Sequence, residues 1–341
     1  MHDASVVVPL RVDPAATDRD AQLLAVARAL APAWADATTA SVEVVGGGIT
    51  NLLFALRAEA RPAVLVRIYG PSTEVVIDRE EENALFASLS RAGFSPLYYG
   101  RFENGRVEGF LEGFRALEPP ELGHPRFRGP IARRLREMHD LVRCEGPPRL
   151  WSTLRGWMSA ATSLPFEGDA AARHEALDLP RYAAELERLE RRFHQEVVPG
   201  AGTPGARAAL RVVMAHNDLL AGNVLTDGSE VRFIDYEYGA PSYAAFDLAN
   251  HFCEYAGFDS DFTAGFPSRA VREDVVGAYL EAPGAVSDFT DLVDFFVLPD
   301  HLWWGTWAVV QAFHSPIDFD FMDYARLRLA GFEFHRRLSP I

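Results

Sequence analysis

The sequence predicts an α+β chain in two lobes: a small N-terminal lobe with an antiparallel sheet and one helix, then a mostly helical C-terminal lobe. Three observations carry this. Apolar runs of strand length recur at 42–45, 52–58, 63–69, 98–102 and 106–111, punctuated by glycine turns. From Pro130 the apolar positions take helical spacing, as in Ile131, Leu135 and Met138. A chain of 341 residues with 48% hydrophobic content is long enough for two cores, with lobes expected at 1–112 and 113–341.

Taken in order, the residues to about Asp18 are rich in Pro and Ala and are expected to be loosely held. Ala21 to Leu30 has helical spacing, and Pro32 ends or bends that helix. Gly46-Gly47-Gly48 separates the first two strands, and the third carries Arg67 among apolar neighbours. Glu80-Glu81-Glu82 opens a helix with its acids in the first turn, where the helix dipole favours them. Asn104-Gly105 joins the last two strands of the sheet. In the second lobe His139 follows Met138 on the next helical turn and reads as a structural helix-end residue. A charged helix runs from about Arg181 to Glu196 with acids and arginines at i,i+4 spacing. Tyr243 to Tyr255 is also helical and puts Asp247, Asn250, His251 and Glu254 on adjoining faces.

Between these helices stands His216-Asn217-Asp218-Leu219-Leu220-Ala221-Gly222-Asn223, followed by Ile234-Asp235-Tyr236-Glu237-Tyr238. An Asp, an Asn five positions on and an Asp on the next strand is the order in which phosphoryl-transfer sites present a base and two Mg2+ ligands. Asp218, Asn223 and Asp235 fill those places. A hairpin from Val224 to Ile234, turned at Asp227-Gly228, returns the second carboxylate to the loop. Any one of the three would more often be a cap, a turn residue or a strand end; the ordered set points to chemistry.

Phosphate chemistry gives the N-terminal features a use. Glycines at 46–48 let backbone N–H groups approach a phosphate, and Thr50 and Asn51 add donors. Paired to Glu82, Arg67 would position nucleotide phosphates; singly, the two read equally well as a snorkelling strand arginine and a solvated helix acid. The connection after the last strand, at Phe110 and Leu111, would seat adenine.

Composition limits the partners. The net charge of −15 argues against nucleic acid as a partner and suits a small cationic substrate better. The chain has no lysine, so all 33 basic residues are arginines and any phosphate-binding cation must be one. Two distant cysteines, Cys144 and Cys253, and no secretory leader imply a cytoplasmic protein. The most apolar stretch, 294–313, is broken by Pro299, Asp300, His301 and Gln311, so no membrane span of about 20 residues is expected.

The motifs Gly47-Gly48-Ile49-Thr50-Asn51, Val64-Leu65-Val66-Arg67-Ile68-Tyr69-Gly70, His216 to Asn223 and Ile234 to Tyr238 have a combined likeness. More specific are Phe246-Asp247-Leu248-Ala249-Asn250-His251-Phe252-Cys253-Glu254 and Trp304-Gly305-Thr306-Trp307. With them, residues from about 41 to 337 resemble the choline and ethanolamine kinases, within the protein-kinase-like superfamily that includes the aminoglycoside phosphotransferases. The latter share the Asp218, Asn223, Asp235 pattern but lack the Asn-His-Phe-x-Glu helix and the Trp-rich tail. In the narrower family a strand arginine replaces the usual kinase lysine, in agreement with Arg67.

The resemblance implies a protein-kinase-like fold with ATP between the lobes. By it, Asp218 is the base at the substrate hydroxyl, Asn223 and Asp235 hold Mg2+, and Glu237 supports the metal. Gly47, Gly48, Thr50, Asn51 and Arg67 would hold the nucleotide phosphates. Tyr238, Trp304, Trp307, Phe319 and Tyr324 would receive a cationic head group, each ring contributing about 0.5 to 2 kcal/mol, with Glu254 and Asp218 supplying negative charge. Trp304 and Trp307, three apart on a helix, would otherwise read as a core stripe. The segment Glu254 to Asp259 looks more like ethanolamine kinases, so ethanolamine is expected ahead of choline. An aminoglycoside phosphotransferase and a silent nucleotide- or amine-binding pseudokinase are the alternatives, and a homodimer is compatible with the reading.

Overall fold

A computed structural model describes residues 7–46, 51–70, 77–144 and 146–338. The chain divides into two compact units: residues up to Arg115 together with Ile234–Glu237, and Ala116–Phe233 together with the rest from Tyr238.

The first unit holds β1 (Val7–Val8), β2 (Ser41–Val45), β3 (Asn51–Arg57), β4 (Val64–Tyr69), β5 (Tyr98–Phe102) and β6 (Gly105–Gly109), in the sheet order β1-β5-β6-β4-β3-β2. A two-residue strand, β7 (Arg115–Ala116), follows. The sheet is mixed rather than wholly antiparallel, because β1 runs parallel to β5, with Val7 opposite Arg101 and Val8 opposite Phe102. The expectation of a loosely held start fails from Val7 onward for the same reason. Glu103 donates its N–H to Leu10, and the Asn104 side chain bonds both the N–H and the C=O of Val12, at 3.1 and 2.8 Å. Those backbone groups find partners at the sheet's end and the segment is tied down.

Two helices flank the sheet, α1 (Arg19–Leu30) and α2 (Arg79–Arg91). Strand alternation sends Val64, Val66 and Ile68 of β4 into a core with Phe54, Leu56 and Val107, closed by Leu23, Val26, Ala27 and Leu30 of α1 and by Trp34. The opposite face carries Leu65, Arg67 and Tyr69, and there Arg67 stands in register with Arg106 of β6. Helix α2 covers the guanidinium of Arg106 with the Phe86 ring, 4.6 Å from its centroid. Its N-terminus is capped by Asp78, which accepts from the Glu80 and Glu81 N–H groups.

The second unit is mostly helical: α3 (Pro119–Leu122), α4 (Pro125–Leu141), α5 (Leu150–Ser163), α6 (Gly168–Ala176), α7 (Leu179–Arg192), α8 (Val198–Gly200), α9 (Pro204–Ala209), α10 (Ala244–Cys253), α11 (Arg269–Leu280), α12 (Val286–His314) and α13 (Phe321–Leu338). Its strands form an antiparallel pair, β8 (Val212–Ala215) with β11 (Ala240–Tyr243), and an antiparallel hairpin, β9 (Val224–Thr226) with β10 (Val231–Phe233), in a sheet of order β10-β9-β7. Tyr243 therefore ends a strand instead of opening the helix that follows it. The hairpin turn spans 227–230, where the Asp227 carboxylate accepts from the Ser229 and Glu230 N–H groups and Gly228 takes φ +95°. Helix α12 continues through Pro299 for 29 residues and is buried along most of its length, against α10 and α13. Among the described residues no helix is long and apolar enough to cross a membrane.

Gly105 shows how tightly the first sheet is closed. A Cβ there would stand 2.1 Å from the Arg67 carbonyl oxygen and 2.4 Å from the Phe102 ring. Gly105→Ala is expected to destabilise the protein by about 1–3 kcal/mol, read as a lowered urea midpoint with an unchanged slope.

Candidate active site

The loop from His216 to Asn223 begins where β8 ends, and its backbone is held by α10. The Asp247 carboxylate, 0% exposed, accepts the His216 N–H at 2.8 Å and the Asn217 N–H at 2.7 Å. It is also bonded to His139 Nε2 at 2.8 Å, whose Nδ1 meets the Tyr279 hydroxyl at 2.8 Å. Burial works to raise the Asp247 carboxyl, but the bond and charge of His139 and the His216 N–H outweigh it and hold the group below its ordinary value. Both ring nitrogens of His139 are thus bonded, to this aspartate and to Tyr279.

Asn217 adopts φ +61°, a conformation that Asn tolerates better than most residues, and donates from Nδ2 to the Tyr238 carbonyl at 2.9 Å. One residue beyond Asp218, Leu219 donates its N–H to Asn250 Oδ1, and its C=O meets His251 Nδ1, both at 2.9 Å. Asn223 donates from Nδ2 to the Asp218 carbonyl at 2.8 Å and to Asp218 Oδ2 at 3.1 Å. Asp218 and Asn223 are thus brought together, both nearly buried.

In the first unit, Asp235 and Glu237 join a buried ladder of alternating charge. Arg67 bonds Asp235 at 2.9 Å and lies 3.8 Å from Glu108. Glu108 bonds Arg106, which bonds Glu82; Arg79 bonds Glu82 at 2.7 Å and reaches Glu237 at 3.3 Å. The expected pairing of Arg67 with Glu82 is not what forms. Arg106, opposite Arg67 across the strands, and Arg79, one helical turn before Glu82, take that carboxylate, while Arg67 turns to Asp235 and Glu108. Burial would raise the Glu82 carboxyl, but Arg106, Arg79 and Arg67 prevail and bring it to about 2. Glu237 goes the other way, to about 7, chiefly through burial and then through Asp235 and Glu82. Asn51, at the start of β3, donates to Glu237 at 3.2 Å and accepts from Arg79 at 3.3 Å.

Oxygens of Glu82, Asp235 and Glu237 lie within 4.8 Å of one another. In this ladder Arg67 and Arg79 bond the same three carboxylates, Arg67 to Asp235 and Arg79 to Glu82 and Glu237. Hard oxygen donors of this kind fit Mg2+. Gly47, Gly48 and Thr50 lie outside the described residues. Phe110 and Leu111 follow β6, half-buried, with the Arg57 guanidinium 4.9 Å from the Phe110 centroid.

The expected head-group residues all belong to the second unit. Tyr238, Trp304 and Trp307 meet edge to face, with centroids 5.2 Å apart for Tyr238–Trp304 and Trp304–Trp307 and 6.3 Å for Tyr238–Trp307. Trp307 Nε1 donates to the Tyr238 hydroxyl at 2.8 Å. Aromatic contacts continue from Trp307 to Phe321, from Phe321 to Phe319, and from Phe319 to Tyr324. Glu254 is reached through Arg328, which donates to Glu254 at 3.0 Å and to the Tyr324 hydroxyl at 3.2 Å. Glu254 is therefore ion-paired within the protein rather than standing alone before a ligand.

Sequence reasoning missed Arg79, Arg106, Arg328 and Trp157, which packs on Tyr238 and Trp303. Helical spacing offered a signal for two of them: Arg79 is three residues from Glu82, and Arg328 four from Tyr324.

A loop aspartate bonded by an Asn five residues on, and a cluster of three carboxylates in a sheet-bearing unit, are the order of groups found in phosphotransferases of the kinase-like class. Residues 42–333 match the family described as choline/ethanolamine kinase, and the chain belongs to it. It is 35% identical over 315 residues to a probable ethanolamine kinase of Arabidopsis thaliana, covering 88% of this chain and 80% of that one. It is 34% identical to ethanolamine kinase 1 of Mus musculus, covering 89% and 86% of the two chains. Among solved structures, an ethanolamine kinase of Plasmodium vivax superposes with a TM-score of 0.79 at 27% identity, covering 89% of this chain and 85% of the other.

Asp247→Ala would strand His139 and two loop N–H groups without their acceptor. A loss of about 3–5 kcal/mol is expected, measured by chemical denaturation at neutral pH.

Proposed function

We propose that the chain transfers the γ-phosphoryl group of ATP to the hydroxyl of a small amino alcohol, with ethanolamine as the preferred acceptor and phosphoethanolamine, a phospholipid head-group precursor, as the product. One observation carries the choice of acceptor: the aromatic path that starts at Trp307 ends at Tyr324, which Arg328 joins to a buried carboxylate, Glu254. A primary ammonium donates hydrogen bonds and gains from such an acceptor, whereas a trimethylammonium can use only the ring faces and the charge. The relatives named as ethanolamine kinases support the same acceptor.

In this reading Asp218 orients the substrate hydroxyl and takes its proton. Asn223, by donating to Asp218 Oδ2, fixes that carboxylate and directs its own amide oxygen elsewhere. We assign Asn223, Asp235 and Glu237 as the oxygen donors for Mg2+; the clustering of the Asp235 and Glu237 carboxylates supports their part in it. The ion would spread the charge that develops on the phosphates. Arg67 and Asn51, with Gly47, Gly48 and Thr50, are assigned to the nucleotide phosphates, and Phe110 and Leu111 to the adenine. Two unpaired cysteines, Cys253 buried and Cys144 half-buried, support a reducing, cytoplasmic setting.

ADP release from purified protein with ATP and Mg2+ tests this across ethanolamine, its N-methylated forms, choline and one aminoglycoside. Turnover confined to amino alcohols and greatest with ethanolamine is expected; turnover greatest with choline or the aminoglycoside would contradict the assignment. Asp218→Asn is expected to lower kcat about 100- to 10,000-fold while ATP still binds, and near-normal turnover in that variant would remove Asp218 from the mechanism.

A further inference from the structure

Glu254 is held by a relay that reaches back to the catalytic loop. Leu219, next to Asp218, donates to Asn250 Oδ1 at 2.9 Å, and Asn250 Nδ2 donates to Asp300 Oδ1 at 3.1 Å. Arg328 then spans two carboxylates, bonding Asp300 through Nη2 and Glu254 through Nη1. Asp300 and Arg328 are 0% and 1% exposed, so neither charge has water as an alternative partner. Asn250 and Glu254 stand four residues apart, Asn250 in α10 and Glu254 at its C-cap, so both face the same neighbours.

From this geometry we infer that Arg328 is a positioning residue for the amine substrate: through Asp300 and Asn250 it sets the Glu254 carboxylate at a fixed place relative to the loop that carries Asp218. The inference rests on the amino-alcohol reading above and deepens it. A two-carbon amino alcohol has one length, so the ammonium acceptor and the hydroxyl base must be held at one separation. A hydrogen-bonded relay through buried side chains does this more rigidly than two carboxylates on separate surface loops.

Arg328 also controls the charge that Glu254 presents. Burial raises the Glu254 carboxyl, Arg328 opposes the rise, Asp300 adds to it, and the balance lies at about 7. The groups facing Glu254 are Arg328 and Tyr324 from α13, Asp300 from α12 and Cys253 from α10. Helix α3 packs on the same turn but directs Glu121 back to the Glu118 N–H. As pH rises through 7 Glu254 loses its proton and can accept from an ammonium. The ethanolamine kcat/KM is therefore expected to rise through that window and then level.

Opposite charge changes separate this from a merely structural role. Arg328→Gln removes the cation, so the acid limb of the ethanolamine profile moves to higher pH and the ethanolamine KM at neutral pH rises about tenfold or more, with the ATP KM unchanged. Asp300→Asn removes an anion, so the limb moves to lower pH. Arg328→Lys keeps the charge and keeps the limb near its original place, and it serves with Asp300→Asn where Arg328→Gln does not fold. Folded variants whose limbs do not move, or that lose ATP and amine affinity alike, would overturn the inference while leaving the amino-alcohol reading intact. A wild-type protein that binds ATP but phosphorylates no amino alcohol would overturn that reading and the inference with it.

Discussion

The second unit depends on one buried carboxylate binding two consecutive backbone N–H groups. Asp247 accepts from His216 and Asn217, the residues that lead into Asp218, and no strand or helix ladder could satisfy those donors at such a sharp bend. Because Asp247 lies in the first turn of α10, the loop takes its position from a helix that is buried on every side. The same helix supplies Asn250 and His251 to both backbone groups of Leu219. Asp218 is thus bracketed by bonds on either side, and its approach geometry follows from helix packing instead of from the loop's own preferences.

The first unit solves a different problem with the same currency of buried charge. Arg67 and Arg106 face each other across adjacent strands, an arrangement that like charges disfavour. Glu82 and Glu108 make it tenable by bonding Arg106, and Asp235 and Glu108 serve Arg67. Isolated buried ion pairs often fail to repay their desolvation. Here the ladder also brings oxygens of Glu82, Asp235 and Glu237 within 4.8 Å of one another.

What was legible in the sequence was whatever its local order encodes. Strands β2 to β6 announce themselves by alternation and glycine turns, and Asp218, Asn223 and Asp235 by spacing within one loop and hairpin. The Trp304–Trp307 pair follows from helical spacing alone. Partners were not legible, because a chain with 33 arginines offers no one-dimensional rule for which arginine meets which acid. Glu82 takes Arg79 and Arg106 in place of Arg67, and Glu254 takes Arg328, 74 positions away. Strand β1 escaped notice because two valines carry no alternation, and β11 because its four residues include a proline.

Amide hydrogen exchange tests most directly whether α10 fixes the loop that carries Asp218. The N–H groups of His216, Asn217 and Leu219 belong to no helix or strand, yet each has a buried acceptor on α10. They are expected to exchange as slowly as the amides of α10 itself, by global unfolding. Exchange at the rate of an exposed turn amide such as Ser229 would contradict the account, because the loop would then open without α10 and Asp218 would owe its place to something else.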